Sequence, residues 1–159
     1  KNKKFNYLIV SIRKKFHSEM VAMKEATSFM SKSVQSEAAL FALVADQSPK
    51  SASAQYFTNF FDVPSAVFKG AERIAKEYNT PVVFLRINKV KRGYYETEFV
   101  TITEKGAETE DWFITDTFFQ LLEEQIIKQP EYYLWSHKRW KSTLGNTKRA
   151  VELSPRVQQ

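Results

Sequence analysis

Residues 111–130, DWFITDTFFQLLEEQIIKQP, decide much of the predicted fold. Large apolar side chains recur there at helical spacing, and Asp111 is a suitable N-cap residue. Pro130 ends the pattern, so we predict a helix from Asp111 to about Lys128. The side chains on its core-facing side are predicted to be Ile114, Phe118, Leu121, Leu122, Gln125 and Ile126. Burying each large apolar side chain contributes roughly 1.5–3 kcal/mol, so this helix is expected to pack on a sheet.

Four segments upstream of this helix have the composition of strands. Residues 39–45, ALFALVA, form a short apolar run that ends in turn residues, which is typical of a strand buried on both faces of a parallel sheet. Residues 82–87, which follow Pro81, form a second apolar run, and residues 94–103 are predicted as a third strand. Residues 20–23, MVAM, are a shorter candidate strand.

Further helices alternate with these strands. Residues 5–16 carry apolar side chains at helical spacing, and residues 25–38 permit a second helix. A third helix is predicted from Pro64 to about Tyr78. The connecting loops are predicted at residues 50–58, 88–93 and 104–110. The alternation predicts the α/β class, a layered sheet with flanking helices, in a single domain over residues 1–159.

The net charge of +6 is unevenly distributed along the chain. Residues 1–40 contain eight Lys or Arg against three Asp or Glu, and residues 128–159 contain seven against two. The central residues 41–127 contain nine against thirteen. Two basic ends favour contact with an anionic partner, although charged faces that serve only solubility would give the same pattern.

Composition excludes several classes of site. The chain has no cysteine, which excludes disulfides, thiolate metal sites and a cysteine nucleophile. His17 and His137 lack neighbouring metal-ligand residues, so we predict neither a metal site nor a cofactor. No glycine-rich phosphate loop or nucleophile elbow is present. No apolar run reaches the roughly 18 residues of a membrane span.

Residues 45–49, ADQSP, place polar groups directly after the predicted buried strand. Open α/β sheets place their sites at such strand ends, so Asp46 and Gln47 are candidates for substrate binding. The structural alternative is a turn in which Asp46 caps nearby backbone amides.

Residues 60–75, FFDVPSAVFKGAERIA, combine an aromatic pair with a predicted helix start. The structural interpretation is a hydrophobic staple, with Gly70 allowing close packing of helix on sheet.

Residues 130–141, PEYYLWSHKRWK, combine aromatic and basic side chains. Tyr and Trp suit a boundary between an apolar and a wet region, and Lys138, Arg139 and Lys141 suit phosphate groups beside it. The alternative is an aromatic cluster that caps the core, with cations stacked on ring faces. His137 is expected to be a hydrogen-bonded structural residue rather than a catalyst.

The segment PEYYLWSHKRWK resembles the C-terminal signature of the bacterial lipid A biosynthesis acyltransferases, the lauroyl and myristoyl transferases. Residues 45–49 and 60–75 resemble two further segments of that family, with Asp62 in place of the usual glycine. Pro81 with the two valines after it resembles the family's next strand. Residues 2–16 resemble a family helix, with Arg13 at its basic position.

The resemblance implies the C-terminal portion of a glycerolipid-acyltransferase-like fold. It implies an enzyme that moves a fatty acyl group from acyl-carrier protein to a hydroxyl of a lipid A precursor, at the cytoplasmic face of the bacterial inner membrane. It also implies the site residues. Substrate contacts are expected at Arg13, Asp46 and Gln47, and contacts with an anionic headgroup or the carrier at His137, Lys138, Arg139 and Lys141.

The family's catalytic pair is a histidine followed, after four intervening residues, by aspartate or glutamate. Ala22 lies five residues after His17, and Ser142 lies five residues after His137, so neither histidine fits. The resemblance therefore implies no catalytic residue in this chain. We expect the chain to be the C-terminal part of such an enzyme, with the dyad and membrane helix upstream, and to be inactive by itself.

A second functional class is a non-catalytic module that binds anions or membranes. The basic ends and the aromatic residues permit it. Nucleic acid is not expected as the partner, because no RNP-like strand or recognition-helix motif is present.

Overall fold

The computed structural model describes residues 3–22, 25–36, 39–50, 55–142, 144 and 150–158. The chain forms two compact units, residues 1–41 and 42–159. That residues 1–159 form one domain stays a prediction. Helices and small sheets together give a mixed α/β fold, as the sequence indicates.

The first unit is helical in its described part. Helix α1 spans Lys3–Arg13 and continues as a 3₁₀ turn over Lys14–Phe16, which confirms the predicted helix over residues 5–16. Helix α2 spans Ala26–Ser36, within the range predicted for it, and residues 37 and 38 lie outside the described residues. The predicted short strand at 20–23 is wrong for residues 20–22, which have no regular structure, and residue 23 is not described.

The predicted buried strand at residues 39–45 is also wrong. This segment has no regular secondary structure, and Leu40 and Val44 are 82% and 72% exposed. A strand inside a sheet needs hydrogen-bond partners on both sides. None of the strands in the described part of the chain pairs with this segment, so its apolar composition alone does not make it a strand.

The second unit contains two small sheets. Strands β1 (Tyr56–Phe60) and β2 (Val63–Ala66) form an antiparallel pair, and β5 (Glu152–Leu153) joins the other edge of β1 in parallel. Strands β3 (Val82–Lys91) and β4 (Tyr94–Thr103) form a long antiparallel hairpin.

The β1–β2 hairpin corrects two predictions. Residues 56–58, assigned to a loop, belong to β1, while residues 51–54 lie outside the described residues. Pro64 does not begin a helix, because it lies opposite Asn59 on the edge strand β2, where a residue without an N–H group is tolerated. The helix in question, α3, spans Gly70–Tyr78.

The turn of this hairpin explains why aspartate can stand at position 62 in place of the family's usual glycine. Phe61 and Asp62 both have positive φ, 51° and 57°, the left-handed conformation that favours glycine and that aspartate tolerates. The Phe61 N–H donates to Glu123 Oε1 at 2.9 Å, which holds the turn. Gly70, by contrast, is not a site of close packing, since a Cβ there would meet no atom within 4 Å.

The β3–β4 hairpin is longer than predicted. Strand β4 has the predicted bounds, but β3 continues through Lys91, so only Arg92 and Gly93 of the expected basic loop form the turn. A strand pair this long is held by its ladder even where the side chains are charged. The expected loop at 104–110 contains a 3₁₀ turn over Gly106–Glu108.

Helix α4 spans Phe113–Lys128 and contacts β1, β3 and β4. Of the predicted face, Ile114, Leu122 and Ile126 are buried and the other three residues are half-buried. Thr115 and Phe119 are buried in addition. The main core contains Phe60, Val67, Ala75, Phe84, Ile102, Trp112, Ile114, Phe119, Leu122 and Ile126. The helix is followed by a 3₁₀ turn over Pro130–Tyr132, and α5 (Pro155–Gln158) ends the described chain.

Asp111 is not the N-cap of α4. It is exposed and pairs with Lys76 at 2.7 Å, while the residue before the helix is Trp112, with φ of 72°. The carboxylate of Glu72 on α3 instead accepts hydrogen bonds from backbone N–H groups at the beginning of α4. Oε1 accepts from the Trp112 N–H at 2.5 Å, and Oε2 accepts from the Thr115 N–H at 3.0 Å and from its hydroxyl at 2.5 Å. An anion at a helix N-terminus is stabilising, and this one is 1% exposed.

Replacement of Glu72 by alanine is expected to lower the free energy of unfolding by roughly 3–5 kcal/mol, because it leaves two buried N–H groups without an acceptor. Urea denaturation measures this. Glu77→Ala removes an exposed carboxylate from the same helix and should change stability by less than about 0.5 kcal/mol. Equal effects of the two variants would contradict the capping role.

Candidate functional site

The two most distinctive sequence segments, 45–49 and 130–141, meet in the structure. The Ser48 N–H donates to His137 Nε2 at 3.1 Å, and the Ser48 hydroxyl lies 3.1 Å from the same nitrogen. A backbone N–H can only donate, so Nε2 accepts, and the neutral ring carries its proton on Nδ1. His137 is thus hydrogen-bonded to the backbone, as the structural interpretation expects, and its contact with a headgroup or the carrier stays a prediction.

Asp46 contributes the negative charge of this site. Burial raises the pKa of Tyr133 and lowers the pKa values of His137 and Arg139, and the carboxylate of Asp46 acts in the raising direction on all three, which places the four groups within electrostatic range of one another. Burial is the larger influence on Tyr133, whose pKa is raised. Asp46 itself is half-buried in a bend of the chain.

Arg139 carries its charge into the core. The residue is 1% exposed, and its guanidinium carbon lies 5.2 Å from the ring centroid of Phe60 and 4.9 Å from that of Phe119. Among the described residues, none of its Nε, Nη1 and Nη2 atoms has a hydrogen-bond partner. Burial lowers its pKa to about 10, so the group remains charged at pH 7.

This arrangement matches the structural alternative for Arg139, a cation stacked on aromatic faces above the core. The ring of Trp140 completes the cluster, with its centroid 6.0 Å from that of Phe60. Lys138 and Lys141 are exposed, so Arg139 does not share their surface. The headgroup or carrier contacts of these three residues stay predictions.

The remaining predicted site residues lie in different places. Gln47 is exposed beside Asp46. Arg13 is exposed at the end of α1, in the unit of residues 1–41. Sequence reasoning did not assign Ser48, Tyr133 or Phe60 to the site, although each lies within a segment that it did single out.

Chemically, the site offers a neutral imidazole, a carboxylate, a phenol and a buried guanidinium. Such groups can accept hydrogen bonds from sugar hydroxyls and attract an anionic group. In the described part of the chain, no group of three or more His, Cys, Asp or Glu side chains is arranged to hold a metal ion. None of the described helices is long and apolar enough to cross a bilayer.

Comparison with protein-family models identifies the family of the chain. The family model for the bacterial lipid A biosynthesis acyltransferases matches residues 1–142. The chain belongs to this family. The match includes both segments that form the site, and it ends before β5 and α5. No curated protein matches the chain.

For this lipid A acyltransferase family member we expect Arg139→Met to raise the free energy of unfolding by roughly 1–4 kcal/mol. Methionine keeps the contact with Phe60 and Phe119 but removes a buried, unpartnered charge. The lost cation–π attraction, about 1–2 kcal/mol, is smaller than the desolvation penalty of several kcal/mol.

Chemical denaturation of the parent and the variant measures this difference. Lys138→Met, at the exposed neighbouring position, is the control and should have little effect. A loss of more than about 1 kcal/mol in Arg139→Met would show that the guanidinium is paired and stabilising.

The free energy of unfolding should also decrease as the pH is lowered, because His137 titrates. Burial, and then the charges of Lys141 and Arg139, lower the pKa of His137 below its ordinary value of 6.5. The unfolded chain therefore binds the proton more readily, so this contribution is complete above about pH 6.5 and is lost as the pH falls.

The test is unfolding free energy between about pH 7 and about pH 5 in the parent, His137→Gln and His17→Gln. Glutamine at 137 can still accept from the Ser48 amide but does not titrate, so the fall should be smaller. His17→Gln should behave as the parent. An unchanged slope in His137→Gln would rule out this role.

Proposed function

We propose that this chain takes part in the transfer of a fatty acyl group from acyl-carrier protein to a hydroxyl of a lipid A precursor, at the cytoplasmic face of the bacterial inner membrane. The observation that carries the proposal is the family match over residues 1–142, which includes both site segments. Membership of the family supports an acyltransferase role in lipid A biosynthesis. The carrier as donor and the cellular location belong to the proposal.

In this reaction the acceptor hydroxyl attacks the carbonyl carbon of the acyl thioester. A C–O bond forms, the C–S bond breaks, and the hydroxyl proton passes through a base to the leaving thiolate. The family resemblance assigns the base to a histidine with a carboxylate five residues later, which neither His17 nor His137 has. We therefore propose that the chain alone binds and orients substrates but does not turn them over.

Asp46 and Gln47 are proposed to bind the acceptor. An ionised carboxylate accepts hydrogen bonds from sugar hydroxyls, and the amide of Gln47 both donates and accepts. The contact between Ser48 and His137 fixes the end of this segment. Arg13 is proposed as a further substrate contact.

Lys138 and Lys141 are proposed to contact an anionic headgroup or the carrier, since both are exposed. The same contact is proposed for His137 and Arg139. His137 holds Ser48, and Arg139 supplies positive charge within range of Asp46.

The experiment combines an activity assay with a binding assay on the purified chain. With acyl-carrier-protein thioester and lipid A precursor, we expect precursor binding but no acylated product. Asp46→Asn should weaken precursor binding by about 10-fold or more, the value of one hydrogen bond to a charged group.

Asp111→Asn is the matched control, because Asp111 is an exposed carboxylate that pairs with Lys76. It should bind as the parent does. Acylated product from the chain alone would overturn the proposed inactivity. Unchanged affinity in Asp46→Asn would remove Asp46 from the substrate site.

The second candidate is a non-catalytic module that binds anions or membranes. Exposed aromatic residues such as Tyr132 and Trp135, both 53% exposed, favour it. It predicts binding to anionic vesicles without any selective affinity for the lipid A precursor, which the same binding assay distinguishes.

A further inference from the structure

The turn of the β3–β4 hairpin carries charge of one sign. Residues 86–95, RINKVKRGYY, contain four cations and no carboxylate. Arg86 pairs with Glu98 at 2.8 Å and with Glu124 at 3.7 Å. Lys91 and Arg92 form no ion pair with any described residue, and both are exposed.

The same turn exposes apolar and aromatic side chains. Val90 is 58% exposed, and Tyr94 and Tyr95 are each 61% exposed. The ammonium group of Lys91 lies 4.3 Å from the ring centroid of Tyr94. A cation thus lies over an exposed aromatic ring at the turn.

The segment after α4 extends this surface. The ammonium group of Lys89 lies 4.7 Å from the ring centroid of Tyr132. We call residues 89–95 together with Tyr132 the hairpin-tip surface.

Hydrogen bonds to α4 fix the position of the hairpin. The Lys89 N–H donates to Gln129 Oε1, and Gln129 Nε2 donates to the Lys89 carbonyl, each at 3.4 Å. Gln125 Nε2 donates to the Ile87 carbonyl at 3.1 Å. The tip is therefore held by the body of the unit, so little ordering is needed before it contacts a partner.

We propose that the hairpin-tip surface docks on a bilayer that contains anionic lipids. Tyr suits the headgroup region because it has an apolar body and a polar end. Lys and Arg suit the phosphate groups there, and Val90 suits the acyl boundary just below. The lack of carboxylates in residues 86–95 matches the negative charge of such a surface.

This inference rests on the membrane location in the proposed function but not on acyl transfer. It also concerns residues other than the proposed substrate contacts. Loss of precursor binding and loss of vesicle binding are therefore separate results.

The absence of cysteine permits a direct test with one label. Val90→Cys carries an environment-sensitive fluorophore at the tip, and Lys105→Cys carries it at the opposite end of the hairpin, where Lys105 is exposed and pairs with Glu108. Vesicles of phosphatidylcholine with phosphatidylglycerol should shift the emission of the label at 90 to shorter wavelength. The label at 105 should not respond, and neither should either label with phosphatidylcholine alone.

Charge reversal tests the electrostatic part by vesicle sedimentation. Lys91→Glu with Arg92→Glu should weaken binding by at least about 25-fold, since each basic residue near an anionic surface is worth about five-fold. Arg73→Glu with Lys105→Glu is the matched control, because both residues are exposed and lie outside the two basic ends of the chain. Circular dichroism checks that each variant is folded.

Several results would overturn the proposal. These are a parent chain that does not bind anionic vesicles, equal weakening by both charge reversals, and a label at 90 that does not respond. Single-stranded RNA that shifts the label at 90 and displaces the vesicles would assign the surface to nucleic acid instead. If the charge-reversed tip fails to fold, Tyr94→Ser with Tyr95→Ser replaces it, and unchanged vesicle binding there would also contradict the proposal.

Discussion

The carboxylate of Glu72 on α3 bonds to the backbone at the beginning of α4, 40 residues away in sequence at Trp112. It is buried on α3 and accepts the N–H groups at the beginning of α4, where the left-handed Trp112 leaves no local side chain to do so. With this contact α4 begins at a fixed point, and its apolar face meets β1, β3 and β4. Both sheets of the second unit are thereby held to one helix.

The segment after α4 takes its position from this helix. The segment of residues 130–141 follows the helix and brings Arg139 over Phe60 and Phe119 and His137 to Ser48. Phe60 closes β1, and Phe119 lies on α4 itself. The candidate site is thus built on the core rather than on a separate loop.

Elements with a long local pattern were predictable. Helices α1 and α4 have regular spacing of apolar residues over ten or more residues. The structure has both helices, and strand β4, close to the predicted bounds. Elements fixed by distant partners were not. The β1–β2 hairpin needs two non-glycine residues at positive φ, and the cap of α4 comes from another helix. The run at 39–45 misled because composition does not supply a pairing partner.

The site was predictable by segment but not by side chain. Both distinctive segments take part, and the family match includes them. Composition could not show that Arg139 would be buried while Lys138 beside it stays exposed, because that depends on which side chain faces Phe60. Nor could it show that Ser48, rather than Asp46, would bond to His137.

Tryptophan fluorescence distinguishes the two units of the chain. All three tryptophans, at positions 112, 135 and 140, belong to the unit of residues 42–159, and residues 1–41 contain Tyr7 as their one tyrosine and no tryptophan. Trp112 is 5% exposed, so its emission should be shifted to shorter wavelength and should report on the contact between α3 and α4. Tryptophan fluorescence therefore reports on the unfolding of one unit only. Far-ultraviolet circular dichroism reports on both units, so a difference between the two unfolding transitions would measure the helices α1 and α2 separately.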